Sequence, residues 1–267
     1  LFTGSEGTLG VVTKIMVKLV PAPEARKSML ATFSNLDDAG KAITNIIGNK
    51  IIPATLEIMD NATIRTVEDY AHVGLPIEAE AVLLIEVDGI PEVVEKEAAN
   101  VEKALKEANA VEIKIAKDAA ERDRIWTARR AALPALAKLR PTTFVEDATV
   151  PRDKVPDMIR AINNIAQKYN VTIGTFGHAG DGNMHPTLVC DIRNDEEMER
   201  VYKAMDEIFA AAIAMGGTLS GEHGIGLGKL KYMQDQFGEV GMQTMRAIKK
   251  ALDPNSILNP GKLVGEV

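Results

Sequence analysis

The chain has 267 residues, of which 46% are hydrophobic and 26% charged, and a net charge of −7. That length suits one large or two modest domains at roughly 100–200 residues each, with ordinary globular composition. The acidic balance argues against a nucleic-acid surface, which needs clustered Lys and Arg, and no apolar run reaches the ~20 residues of a membrane span.

In chain order, Gly4-Ser-Glu-Gly-Thr-Leu-Gly10 spaces three glycines three apart, which lets backbone N–H groups approach a phosphate. The β-rich run 11–19 that follows predicts a strand, closed by Pro21-Ala-Pro23 as a linker and domain boundary. From there strands and helices alternate. Strands are expected at 27–33, 54–59, 81–87 and 111–115, and helices at 37–48, 61–70, 91–108 and 118–139. Ser34 or Asn35 should cap the first helix, and Pro134 should kink or interrupt the last. The second half repeats the order: a strand over 142–148, a helix over 151–169, a hairpin around Asp181-Gly182, and a helix over 194–215. A loop over 218–228, two helical segments (229–237 and 240–252) and a Pro/Gly-rich tail end the chain. Strands joined by helices, with at least one hairpin, indicate an α+β fold: an antiparallel or mixed sheet carrying packed helices, as two ferredoxin-like halves.

The chemistry is concentrated in Phe176-Gly-His-Ala-Gly-Asp-Gly-Asn-Met-His-Pro186. Asp-Gly at the tip of a two-residue type I′ turn sets His178 directly opposite His185, about 4.5–5.5 Å apart at Cβ, close enough to share one divalent ion. Gly221-Glu-His-Gly224 adds a carboxylate and a third imidazole. His178, His185 and Glu222 thus form a candidate His₂–carboxylate site with an open position, suited to Zn²⁺, Mn²⁺ or Fe²⁺. Asp181 belongs to the turn rather than the ligand set. His223 is either a general base or a hydrogen-bond partner of a ligand. Arg129 or Arg130, on the 118–139 helix, could clamp a carboxylate. Gly221–Lys229 does not satisfy a phosphate-loop pattern, because position 223 is His and Leu230 follows the lysine. The lone Cys190 rules out an intrachain disulfide and reads as a buried apolar residue in a reducing compartment. With no signal peptide visible, a cytoplasmic location is expected.

Together, Gly4–Gly10, Gly177–Pro186, Gly221–Gly226 and Asn259-Pro-Gly-Lys262 resemble the FAD-linked oxidases with a vanillyl-alcohol-oxidase-type flavin domain. The branch they match is that of the glycolate oxidase flavin subunit and D-lactate dehydrogenase. The resemblance implies that residues 1–20 are the end of an FAD-binding domain, 21–252 a substrate (cap) domain with the metal site, and 253–267 a tail returning to the flavin. Gly4, Ser5, Gly7, Thr8, Gly10 and Asn259 would then contact FAD, most of which an earlier domain would bind. His178, His185 and Glu222 would hold the metal, His223 would be the base, and Arg129 would meet the substrate carboxylate. Members acting on 2-hydroxyglutarate carry a hydroxyl and a cation where this chain has Leu133 and Val145, so glycolate or D-lactate is favoured. Electrons would pass to a quinone, an electron-transfer flavoprotein or an iron–sulfur subunit, and a homodimer is possible. A start at Leu1 with no initiator Met, running straight into the glycine motif, suggests a piece of a longer protein, and loop 4–10 and the tail should be loose without flavin. A metal-dependent hydrolase using the same His₂–Glu set, and a non-catalytic module of an electron-transfer complex, are the rival readings.

Overall fold

Apolar alternation and well-placed caps determine the elements of the computed structural model, which describes residues 1–266. In order they are β1 (Ala25–Phe33), α1 (Leu36–Gly48), β2 (Thr55–Asp60), α2 (Asn61–Ala71), β3 (Ala81–Gly89), α3 (Pro91–Glu107), β4 (Glu112–Ile115) and α4 (Ala119–Leu139). There follow β5 (Thr142–Val145), β6 (Ala148–Thr149), α5 (Val155–Tyr169), β7 (Thr172–His178), β8 (Asn183–Cys190), α6 (Asp195–Ala214) and α7 (Met233–Leu252). Asn35, Asp60, Asp118 and Asn194 each accept a hydrogen bond from the backbone N–H three residues on, satisfying a donor that the first helical turn leaves free.

All described strand pairs are antiparallel, in the order β4-β1-β3-β2-β7-β8-β5, with β6 also on β8. The first four strands run 4-1-3-2, a ferredoxin-like half with α2 inserted between β2 and β3. The second half has the matching order β5-β8-β7, its fourth strand reduced to the single bridge Thr149↔Thr218. β2 and β7 join the halves into one sheet. Helices α1, α3, α5 and α6 bury one face around Phe33, Ile43, Ile58 and Ile162. On the other face α2 and α4 cover Met59, Leu84, Phe176 and Val189. Because side chains alternate along a strand, Glu57, His178 and His185 continue that second face.

Three expectations are corrected. Residues 11–19 form no strand: they lie exposed, Met16 fully so, and pair with no other strand among the described residues. Pro134 does not interrupt α4, which runs through it to Leu139. The strand over 142–148 is split into β5 and β6 with no change of register, since Val145 faces Thr187 and Ala148 faces Met184. Between them Glu146 N still donates to Pro186 O, but Pro186 has no N–H to return.

Candidate active site at the β2–β7–β8 edge

Glu57 of β2 lies directly opposite His178 of β7, and Phe176 opposite His185 of β8. The hairpin therefore differs from expectation: His178 pairs with Asn183, not His185, and Ala179–Gly182 make a four-residue turn. Of Asp181 and Gly182 only the glycine has positive φ, 76°, so a type I′ turn is absent. Bonds to flanking chain hold the turn open, Gly180 N to Leu56 O and Val150 N to Gly182 O. The slip is two residues, so both histidines keep one face, with ring centroids 5.1 Å apart in an edge-on arrangement. Asp181 is exposed at the turn, as expected.

The loop after Gly221 closes over these rings. Its Glu222 carboxylate draws both imidazoles to one atom: His178 Nε2 is 3.1 Å and His185 Nε2 3.2 Å from Oε1. Five consecutive amides of the loop donate to side chains. Glu222 N and His223 N reach Asp147 Oδ2, Gly224 N reaches Ser220 Oγ, and Ile225 N and Gly226 N reach the Glu6 carboxylate. Gly221 permits this approach, since a Cβ there would lie 2.5 Å from Thr149 Oγ1 and 2.7 Å from Asn183 Nδ2. The His223 ring stacks on His185 at 4.8 Å between centroids.

Glu57 Oε1 takes a 2.6 Å bond from His178 Nδ1, and Oε2 one of 2.6 Å from Arg129 Nε. Arg129 also lies over the Phe176 ring. Burial pushes the Glu57 carboxyl up, but the bonds from His178 and Arg129 outweigh it and leave its pKa lowered. The His178 pKa is raised, first by that bond. Burial lowers the His185 pKa, helped by the neighbouring His223 and His178. The Asp147 carboxyl sits at about 2: burial works upward, and the Ser220 hydroxyl and the two loop amides prevail. Arg130 points away, paired with exposed Asp123 at 2.7 Å, so of the two arginines only Arg129 joins the cluster.

The donor set suits a divalent ion. A tetrahedral shell with bonds of ~2.0–2.1 Å has edges of about 3.3 Å, close to the two spacings around Glu222 Oε1. Glu57 behind His178 Nδ1 leaves Nε2 directed into the cluster, the usual partnership of a metal-binding histidine. Asp147, His185 and His223 form a second such group sharing His185. Glu57, Asp147 and Glu6 escaped sequence reasoning. An acid inside the strand over 54–59 was the one visible signal, for Glu57.

The glycine loop and the tail, expected to be loose, are bonded to each other. Asn259 Nδ2 donates to Glu6 O at 2.5 Å, and buried Lys249 donates to Thr8 O, Leu258 O and the Asp253 carboxylate. Gly4, Glu6 and Gly7 have positive φ, and Gly10 lies against Phe2. Ser5 and Thr8 are buried, the Thr8 hydroxyl bonded to Ser5 O.

The family model for FAD linked oxidases, C-terminal domain, matches residues 22–263. The chain belongs to this family. It is 53% identical over 263 residues to glycolate oxidase subunit GlcD of Bacillus subtilis (strain 168), covering 98% of this chain and 56% of that protein. It is 33% identical over 273 residues to D-lactate dehydrogenase of Anaerostipes hadrus, covering 98% and 57%. The chain spans about half the length of the curated relatives it matches. Among solved structures, p-cresol methylhydroxylase with substrate bound has a TM-score of 0.68 at 16% identity, over 93% of this chain and 54% of that one, a likeness of fold. The α+β expectation stands, and the hydrolase reading finds no support. Among the described residues, no helix is long and apolar enough to cross a membrane.

Proposed function

We propose that this FAD linked oxidase domain is the substrate-binding part of an enzyme that oxidises a small 2-hydroxy acid, glycolate or D-lactate, to the 2-oxo acid. The observation that carries the reading is the convergence of His178 and His185 on one Glu222 oxygen, with Arg129 held beside them by Glu57. His178, His185 and Glu222 hold a divalent ion. When bound, the ion would supply Lewis-acid polarisation of the substrate hydroxyl, and bound flavin would supply the hydride-accepting chemistry. Arg129, its Nε committed to Glu57, uses its remaining guanidinium edge to orient the substrate carboxylate. His223, at the exposed rim, accepts the hydroxyl proton. Leu133, one helical turn beyond Arg129, and Val145, opposite Thr187 on the same face, offer no partner for a second carboxylate. That supports a monocarboxylate.

Residues 1–20 belong with a flavin-binding domain, 21–252 form the cap, and 253–267 return to the flavin. The exposed apolar side chains of Val11, Val12, Ile15 and Val17 support this, because a β-prone run of that kind suits a strand paired with a further domain. Gly4, Ser5, Gly7, Thr8, Gly10 and Asn259 form the flavin-facing rim, and the electrons leave to a quinone, an electron-transfer flavoprotein or an iron–sulfur subunit. The test is anaerobic addition of glycolate or D-lactate to the whole flavin-loaded, metal-replete protein. Bleaching of the flavin band is expected, faster than with 2-hydroxyglutarate. An unchanged spectrum with every 2-hydroxy acid would overturn the proposal.

A further inference from the structure

We propose that Asp147 is the positioning residue of this site, one carboxylate that fixes the His185 ring from behind and holds Glu222 and His223 in front. The inference rests on reading His178, His185 and Glu222 as the metal set. Val145 faces Thr187 and Ala148 faces Met184, so the register puts Asp147 directly opposite His185. Opposed side chains on antiparallel strands share a face, with Cβ atoms about 4.5–5.5 Å apart. A carboxylate oxygen of Asp147 and ring nitrogens of His185 and His223 lie within 4.8 Å of one another.

The two oxygens of Asp147 have different surroundings. Oδ2 accepts from Ser220 Oγ at 2.5 Å, Glu222 N at 3.0 Å and His223 N at 2.9 Å. Oδ1 is buried without a partner, and so is His185 Nδ1. Both residues are nearly sealed from solvent, at 0% and 4% exposure. Buried polar atoms are rarely left unmatched. A carboxylate can only accept, so the pair is satisfied when His185 carries its proton on Nδ1 and turns it to Oδ1. Nε2, the nitrogen 3.2 Å from Glu222, then presents its lone pair to the cluster. Glu57 already stands in that relation to His178 through Nδ1. Each hairpin histidine thus has its own carboxylate behind it, and Asp147 also sets the height of the loop bearing Glu222 and His223.

The test compares the full chain with its Asp147→Asn variant, ¹⁵N-labelled at histidine, above the ordinary imidazole pKa of ~6.5. The wild type should show His185 as the Nδ1–H tautomer. Asn keeps an oxygen for Ser220 and the two amides but turns an NH₂ toward the ring, so the variant should switch His185 to Nε2–H while His178 stays unchanged. Zn²⁺ titration should then show affinity falling roughly 10–100-fold. Wild-type tautomer and wild-type affinity in Asp147→Asn would reduce Asp147 to a loop brace and overturn the proposal. So would Nε2–H in the wild type itself, a readout that survives if the variant fails to fold. If His223→Asn weakens Zn²⁺ as much as Asp147→Asn while Glu222→Gln does not, Asp147 is a ligand, and the positioning role is again overturned. A wild type that binds no Zn²⁺ contradicts the metal reading instead, and the tautomer still decides the role of Asp147.

Discussion

Glu57 ties the two sides of the site together, since its carboxylate takes Arg129 on one oxygen and His178 on the other. Removing Arg129 therefore removes the proposed substrate clamp and also leaves a buried carboxylate short of one partner. In the whole flavin-loaded protein, Arg129→Ala should lower kcat/KM by the equivalent of about 2–4 kcal/mol. Arg130→Ala, which loses exposed bonds to Asp123 and Thr127 away from the cluster, should leave kcat/KM within about twofold. Steady-state kinetics on the two variants check this, and a crippled Arg130→Ala beside a silent Arg129→Ala would reverse the assignment. Some of this cluster was legible in the sequence. His178 and His185 share a face even though the expected register is wrong, because a slip of two residues preserves the alternation and a slip of one would not. Asp147 was not legible, because its place opposite His185 depends on pairing between strands about forty residues apart.

At the scale of elements, the N-cap of α2 carries a pH dependence of its own. Asp60 is buried, and burial raises its carboxyl to about 6, against the opposing bonds from Thr63 and Thr175. Between the unfolded value of ~3.9 and about 6, the native protein holds a proton that the unfolded chain has released. Stability therefore falls as pH rises through that window, by up to about 3 kcal/mol at 1.36 kcal/mol per unit. Asp60→Asn, an equally good cap, should abolish the slope. Denaturant melts should find the variant close to wild type near pH 4 and more stable near pH 8; parallel wild-type and variant profiles would refute the account. The loop over 222–226 gives a second test, because its amides divide between Asp147, Ser220 and Glu6. Glu6→Ala should release hydrogen-exchange protection at Ile225 and Gly226 while leaving Glu222 and His223 protected. Uniform loss would mean that the loop depends on Glu6 as one unit. A cap at Ser34 or Asn35, of which Asn35 is the one used, the opening of a helix at Asn194 and the division of the last helical segment near Gly238 follow local residue chemistry and could be read directly. The four-residue turn and the missing strand at 11–19 could not, because distant or missing backbone partners decide them.

The whole molecule is a ferredoxin-like pair joined at β2 and β7, with the site at the seam and the loop over 4–10 bonded to the tail beside it. On the domain division proposed above, this chain supplies only a rim loop and a tail to the flavin. The purified 267-residue chain should therefore lose FAD on gel filtration, while a protein carrying the further domain retains it; stoichiometric flavin absorbance in the chain alone would shift the boundary. The central claim is that three side chains hold the ion and a fourth does the proton chemistry. Paired metal content and turnover of His185→Asn and His223→Asn, in the whole flavin-loaded protein, test it most directly. His185→Asn should lose both metal and activity, whereas His223→Asn should keep its metal and lose roughly 10²–10⁴-fold in rate. If His223→Asn empties the site while Glu222→Gln leaves it filled, the ion sits with His223 and the account is wrong.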